Sequence, residues 1–228
     1  EVAKYKPSRT KDTGMKIGII GSGGMAKALA GKWADKHEVM LSGRNPDKAN
    51  AVAAEVGARA GFAQEAAAFG DVVVLATRWE DVFSGIDSAG GPSAFAGKII
   101  IDINNPVSIE TFLTTREDGR SLTEAIAGHL PDAHVGKAFN MAQVAVWEDA
   151  DMTYDGRQMV TLYTADDKAD ETIARLIRDV GADPLRLGGN EHAYQLEAAA
   201  AIVIKFLFAG RDPQTIFNFI QPEMRAVR

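Results

Sequence analysis

The sequence predicts an α/β fold: a mostly parallel sheet, doubly wound by helices, with a small C-terminal helical extension. Three observations carry this expectation. Strand-like and helix-like stretches alternate along most of the chain. One run, residues 71–77 (Asp-Val-Val-Val-Leu-Ala-Thr), is continuously apolar, as in strands buried on both faces. The first strand ends in a glycine-rich turn that opens a helix.

Taken in order, Ile17, Ile19 and Ile20 mark a short buried strand, and Gly18 among them signals a close backbone approach. A helix follows, then a second strand over residues 37–41. Residues 46–56 read as an alanine-rich helix, 58–61 as a short strand and 64–69 as a short helix. After the apolar run, residues 79–86 read as helical, and 87–97, rich in Ser, Gly and Pro, as loop. A buried strand opens residues 98–107. A helix over 121–129, a strand over 134–140 and a strand over 159–167 come next. Residues 167–180 form an amphipathic helix with Ile173, Leu176, Ile177 and Val180 on one face, closed by Gly181. Residues 183–189 give a last strand and turn. From Asn190 the chain becomes an apolar helix, followed by a short helix after Pro213. The expected division is an N-terminal extension (1–14), a nucleotide-binding domain (15–188) and a C-terminal helical segment (189–228). The apolar helix has few polar faces, so a second copy of the chain is its expected cover, which implies a homodimer.

Composition sets bounds. With 228 residues, 46% hydrophobic and a net charge of −6, the chain offers no broad basic surface for nucleic acid. Without cysteine it has no disulfide, thiol nucleophile or thiolate-bound metal. The first fourteen residues are polar and basic with no apolar core, and no run is long enough to span a bilayer. The expected location is cytoplasmic, with no membrane or metal involvement. Asp149, Asp151, Asp155 and Gly156 suggest a calcium loop at a glance, but the glycine falls too late and Val160 stands where a bidentate Glu is needed. Asn190, Glu191, His192 and Glu197 lack a zinc spacing.

The turn Gly21-Ser22-Gly23-Gly24-Met25-Ala26 is the G-x-G-x-x-A form of the Rossmann dinucleotide fingerprint, in its required strand–turn–helix setting. Gly21 permits the tight turn, Gly23 lets a pyrophosphate approach the backbone, and Ala26 lets the helix pack close. The helix dipole and first-turn amides then face the phosphates. After the second strand stand Ser42, Gly43, Arg44 and Lys48, with no carboxylate at the strand end. A ribose 2′-hydroxyl calls for Asp or Glu there, whereas a 2′-phosphate calls for donors and cations. The loop therefore selects NADP(H); the plainer alternative is a pair of solvated surface charges.

These stretches, with "GDVVVLATRWEDV", "IIIDINNPV", "VGKAFN", "VTLYTADD" and "GNEHAYQLEAAA", resemble the NADPH-dependent coenzyme F-420 reductases. A more distant similarity is to the reductase domain of the STEAP metalloreductases and to pyrroline-5-carboxylate reductase. The resemblance runs from Lys16 to about Gly210. It implies a hydride-transferring oxidoreductase with NADP(H) as cofactor and F-420 or a flavin as co-substrate. It also implies that Thr77, Arg78 and Trp79 border the ribose or nicotinamide. Asn105 and Pro106 would wall the nicotinamide, and Lys137, Phe139, Asn140 and Met141 would line the acceptor side. The family usually reads Gly-Ser-Arg after its second strand; here the order is Ser42-Gly43-Arg44, and the arginine is kept. Many relatives carry an apolar residue or proline at the position of Arg78. Transfer between two rings needs little acid–base help, but a small carbonyl or imine acceptor would need a proton donor. Lys137 is the first candidate for that role, with His134 and His192 behind it. A non-catalytic NADP(H)-binding sensor is the reading from a different class.

Overall fold

A computed structural model describes residues 14–115 and 119–211. The N-terminal extension and the helix expected after Pro213 lie outside the described residues, apart from Gly14. Six strands run parallel in the order β3-β2-β1-β4-β5-β6: β1 (Lys16–Ile20), β2 (Glu38–Ser42), β3 (Arg59–Gly61), β4 (Val72–Leu75), β5 (Ile99–Asp102) and β6 (His134–Lys137). Crossover helices join them: α1 (Gly24–Trp33), α2 (Pro46–Val56), α3 (Ala63–Phe69), α4 (Val82–Ser88) and α5 (Leu122–His129). Beyond α6 (Val144–Glu148) and a small hairpin of β7 (Thr153–Tyr154) and β8 (Arg157–Gln158), the sheet is extended by β9 (Val160–Ala165). β9 pairs antiparallel with β6. After α7 (Asp170–Asp179), β10 (Asp183–Gly188) joins β9 in parallel. The last helix among the described residues is α8 (Ala193–Phe208). The expected doubly wound α/β architecture is therefore the fold.

Strands β1, β4 and β5 are apolar on both faces because helices cover both. One layer packs α1, α6 and α7 against them around Leu29, Trp33, Trp147 and Ile173; the other gathers Ile86, Phe95, Ile100 and Ile126 beneath α3, α4 and α5. Each fully buried Ile, Leu or Phe contributes on the order of 1.5–3 kcal/mol. Gly18 is the close approach anticipated from the sequence. A Cβ there would stand 2.0 Å from the Ala66 carbonyl oxygen of α3.

Differences in boundaries have local causes. The strand expected over 134–140 stops at Lys137, and Phe139 takes a left-handed φ of 62° that turns its ring inward. α7 starts three residues late because Asp166 Oδ1 accepts from the backbone N–H groups of Lys168 and Ala169. The stretch 87–97 is only partly loop: α4 continues to Ser88, and Pro92–Phe95 form a short 3-10 turn pinned by the buried Phe95. The β7–β8 hairpin and α6 were not anticipated. Asp155 and Gly156, first met as a failed calcium loop, are the two turn residues of the hairpin at φ 51° and 71°.

Gly18→Ala should lower stability by about 1–3 kcal/mol, because the backbone of α3 must move away from β1. Urea denaturation checks this, and an unchanged midpoint would contradict the contact.

Candidate functional site

The carboxyl ends of β1, β2, β4 and β5 open into two adjoining cavities at the point where strand order reverses. The larger, about 880 Å³, is lined by the turn after β1, the loop after β2 and the segment after β4. The smaller, about 690 Å³, lies over the ends of β4 and β5. Met25, Ala76, Thr77 and Arg78 border both.

The turn is held by backbone geometry. Gly21 has φ 142°, its N–H donates to the Ser42 carbonyl at 2.9 Å, and a Cβ would stand 2.3 Å from the Ala76 carbonyl oxygen. No other residue type fits so close to the end of β4. Gly23 caps α1 without any side-chain hydrogen bond, and a Cβ there would meet nothing within 4 Å. The first-turn amides of α1 thus face open space, and no acidic residue stands in that turn. This is the arrangement that accepts a phosphate at a helix N-terminus. The Thr77 hydroxyl, between the two cavities, is buried with no hydrogen-bond partner among the described residues. An open cradle and an orphaned hydroxyl in one cleft both fit a bound dinucleotide. Ala26 is wholly buried at the α1–sheet contact, as its packing role requires.

All four residues singled out after β2, Ser42, Gly43, Arg44 and Lys48, line the larger cavity. Ser42 does not present its hydroxyl as expected: the side chain is buried and its Oγ donates to the Ile19 carbonyl at 3.2 Å. The Arg44 guanidinium is 3.3 Å from Asp81 Oδ2, and Arg78 Nε donates to the same oxygen at 3.1 Å. Asp81 was missed from the sequence because it is far from the β2 loop in the chain. The Arg78 guanidinium beside it holds its carboxyl below the usual range. Trp79 and Asn105 border the smaller cavity, while Pro106 is buried and borders neither.

The residues expected on the acceptor side lie behind the cleft. Lys137, Phe139, Asn140 and Met141 line neither cavity. Phe139 packs edge-on between Trp33 and Trp147, with centroids 5.5 and 5.3 Å away. Asn140 locks onto Asn105: its Nδ2 donates to Asn105 Oδ1 at 2.9 Å, and Asn105 Nδ2 donates to the Asn140 carbonyl at 2.8 Å. Lys137 is fully buried. Its Nζ donates to Asp102 Oδ2 at 2.7 Å and to the Asn104 carbonyl at 2.6 Å, and lies 3.3 Å from Glu197 of α8. Thr123 donates to Asp102, and the Leu122 N–H donates to Glu197. Burial pushes the Glu197 carboxyl up, opposed by Lys137 and reinforced by Asp102. A lysine so committed is a brace behind the cleft wall, with no free path to a substrate. His134 sits at the opposite, amino-terminal end of β6 against Asp166, and His192 stands beside Glu191; neither borders a cavity.

Residues 16–106 match the family model described as "NADP oxidoreductase coenzyme F420-dependent". The family is one of NADP-dependent oxidoreductases whose acceptors vary. The chain is similar to a crystal structure from Arthrobacter sp. FB24, provisionally described as an F420-dependent NADP-reductase. Identity is 26% and the TM-score 0.75, over 86% of this chain and 95% of that one. It is also similar to rat metalloreductase STEAP3, 28% identical over 80% of this chain and 36% of that protein. The chain thus spans about a third of the length of that curated relative. A reductive aminase from Aspergillus terreus, solved with NADPH and ethyl-5-oxohexanoate, shares the fold. It is 21% identical with a TM-score of 0.64, over 87% of this chain and 64% of that one. Among the described residues no cluster of side chains could hold a metal ion, and no helix is long and apolar enough to cross a membrane.

Lys137→Met should cost about 3–5 kcal/mol of stability, because Asp102 and Glu197 would be left buried without their cation. Chemical denaturation of the purified variant reads this directly. A loss of turnover with full stability would instead restore Lys137 as a proton donor.

Proposed function

We propose that the chain is an NADP(H)-dependent oxidoreductase that transfers a hydride between NADPH and a deazaflavin acceptor of the F-420 type. The observation that carries this reading is the pair of adjoining cavities at the strand switch point. One has bare helix amides and rim cations; the other, beside it, is walled by Met25, Trp79, Ile103 and Val107. In this reading the turn Gly21, Ser22, Gly23, Gly24 and Met25 takes the pyrophosphate. Arg44 and Lys48 take the 2′-phosphate by charge-assisted hydrogen bonds. Thr77 offers its unpartnered hydroxyl to the cofactor where the two cavities meet. Trp79, Ile103 and Val107 give the smaller cavity apolar surface for a ring to lie against. When bound, NADPH would supply the hydride to the acceptor ring, with the balancing proton taken from solvent.

The commitment of Lys137 to Asp102 and Glu197 favours a ring acceptor over a ketone or imine, which would require a placed proton donor. A flavin is the next acceptor in line. The division into a nucleotide-binding part (15–188) and a dimer-forming helical part (189–228) belongs to the same proposal, as does a cytoplasmic location. The homodimer is supported by Ile202, Phe206 and Phe208, which are exposed on α8. Sedimentation of a monomer at micromolar concentration would remove that part.

Two binding outcomes are expected. Arg44→Ala should weaken NADPH binding by about 1.5–3 kcal/mol and leave NADH nearly unchanged. Gly23→Val should abolish binding of both nucleotides at an unaltered melting temperature, since its side chain enters open space only the ligand would need. Fluorescence titration reads both; equal losses for the two nucleotides in Arg44→Ala would refute the 2′-phosphate assignment. The acceptor is tested by NADPH oxidation against deazaflavin, FMN, FAD, ketones and imines. Turnover is expected with deazaflavin. Fastest turnover with a ketone or imine would replace that reading, and tight binding without turnover would favour the sensor.

A further inference from the structure

The sequence has no carboxylate at the end of β2, where a nucleotide with a free ribose 2′-hydroxyl would want one; Asp47 lies further on, in the first turn of α2. The fold delivers one from elsewhere. Asp81, in the turn after β4, reaches the same rim, and its Oδ2 serves both Arg78 Nε at 3.1 Å and Arg44 Nη2 at 3.3 Å. The two arginines come from different strand ends, so this single oxygen spans the mouth of the larger cavity, whose lining also includes Lys48. We propose that Asp81 is a specificity-determining residue that restrains the preference for the 2′-phosphorylated nucleotide, because it occupies the guanidinium groups that a 2′-phosphate would use. This inference rests on the nucleotide reading given under Proposed function.

Two effects of the carboxylate oppose each other. It orients two long side chains, which are 83% and 69% exposed. Ion pairs at such exposure contribute little, so losing that orientation costs little. It also places a full negative charge beside the position of a phosphate dianion. The product of the charges is about −1 by −2, and both anions compete for the same donors, so repulsion outweighs orientation even in a water-like dielectric. A free 2′-hydroxyl experiences no such repulsion and can donate to the carboxylate, the role an acidic residue plays in sites that prefer NAD. An aspartate carboxyl is ionised at neutral pH, and the Arg78 guanidinium beside Asp81 lowers its pKa further, so the charge is present under ordinary assay conditions.

The test is a pair of fluorescence titrations, NADPH and NADH, on the wild type, Asp81→Asn and Asp81→Glu. Asn removes the charge while its amide oxygen can still accept from Arg78 Nε. Asp81→Asn is expected to tighten NADPH by about three- to tenfold, with NADH unchanged or weaker. Asp81→Glu, which keeps the charge, is expected to hold the wild-type ratio. A ratio that stays level or falls in Asp81→Asn, or rises equally in Asp81→Glu, overturns the proposal. Wild-type protein that binds neither nucleotide overturns the nucleotide reading itself, and that result is seen before any substitution is compared.

Discussion

The close approach of backbone to backbone around β1 is the constraint on which the cleft depends. At Gly18 the strand touches α3, and at Gly21 it touches the end of β4, each at a distance that excludes a Cβ. Because β1 lies that near to β4, its turn and the segment after β4 face each other across one opening. The first-turn amides of α1, the Thr77 hydroxyl and the Arg78 guanidinium consequently share a cavity border. With a side chain at either glycine, the sheet would have to open and these groups would part.

A second constraint holds the far wall. The cluster of Asp102, Lys137 and Glu197 joins β5, β6 and α8 out of contact with water. Two carboxylates against one ammonium leave an excess of negative charge, which is why burial and Asp102 together raise the Glu197 carboxyl. Hydrogen bonds from Thr123 and the Leu122 amide complete the set. Replacing such a cluster with apolar residues need not destabilise a protein, but removing one member does. Here the cluster also fixes backbone: Lys137 holds the Asn104 carbonyl, while Asn104 Nδ2 donates to the Leu75 carbonyl at 2.9 Å. The wall of the smaller cavity is thereby tied to the helix that carries the exposed apolar face.

The rim of the larger cavity is a balance of charge. Three cations, Arg44, Lys48 and Arg78, meet one carboxylate whose sequence position gives no hint of its place. Reading the β2 loop in isolation counts only the cations and misses the carboxylate that pairs with Arg44. Asp81 arrives because the 3-10 turn Trp79–Asp81 carries the chain from the end of β4 across to the loop after β2.

The fold and the nucleotide turn were legible in the sequence because both rest on local signals: continuous apolar strands, small residues at fixed spacing, and a strand–turn–helix order. The hairpin at Asp155-Gly156 was also written there, in a dipeptide that favours positive φ, and was passed over for a metal motif it did not fit. What residues 137–141 do could not be read in the same way. Lys137 and Phe139 sit where a family resemblance would put an acceptor pocket. Their side chains instead turn inward, one to Asp102 and Glu197 and the other to Trp33 and Trp147. Asp81, for its part, comes from the turn after β4 to pair with Arg44 of the β2 loop. By itself the sequence determined the alternation of strands and helices and the open backbone cradle, since continuous apolar runs and glycine act on their own neighbours. Only the tertiary structure decided which charges share the rim and which are sealed behind it, because an electrostatic partner is chosen by proximity in space and by exclusion of water, and neither is encoded at one position in the chain.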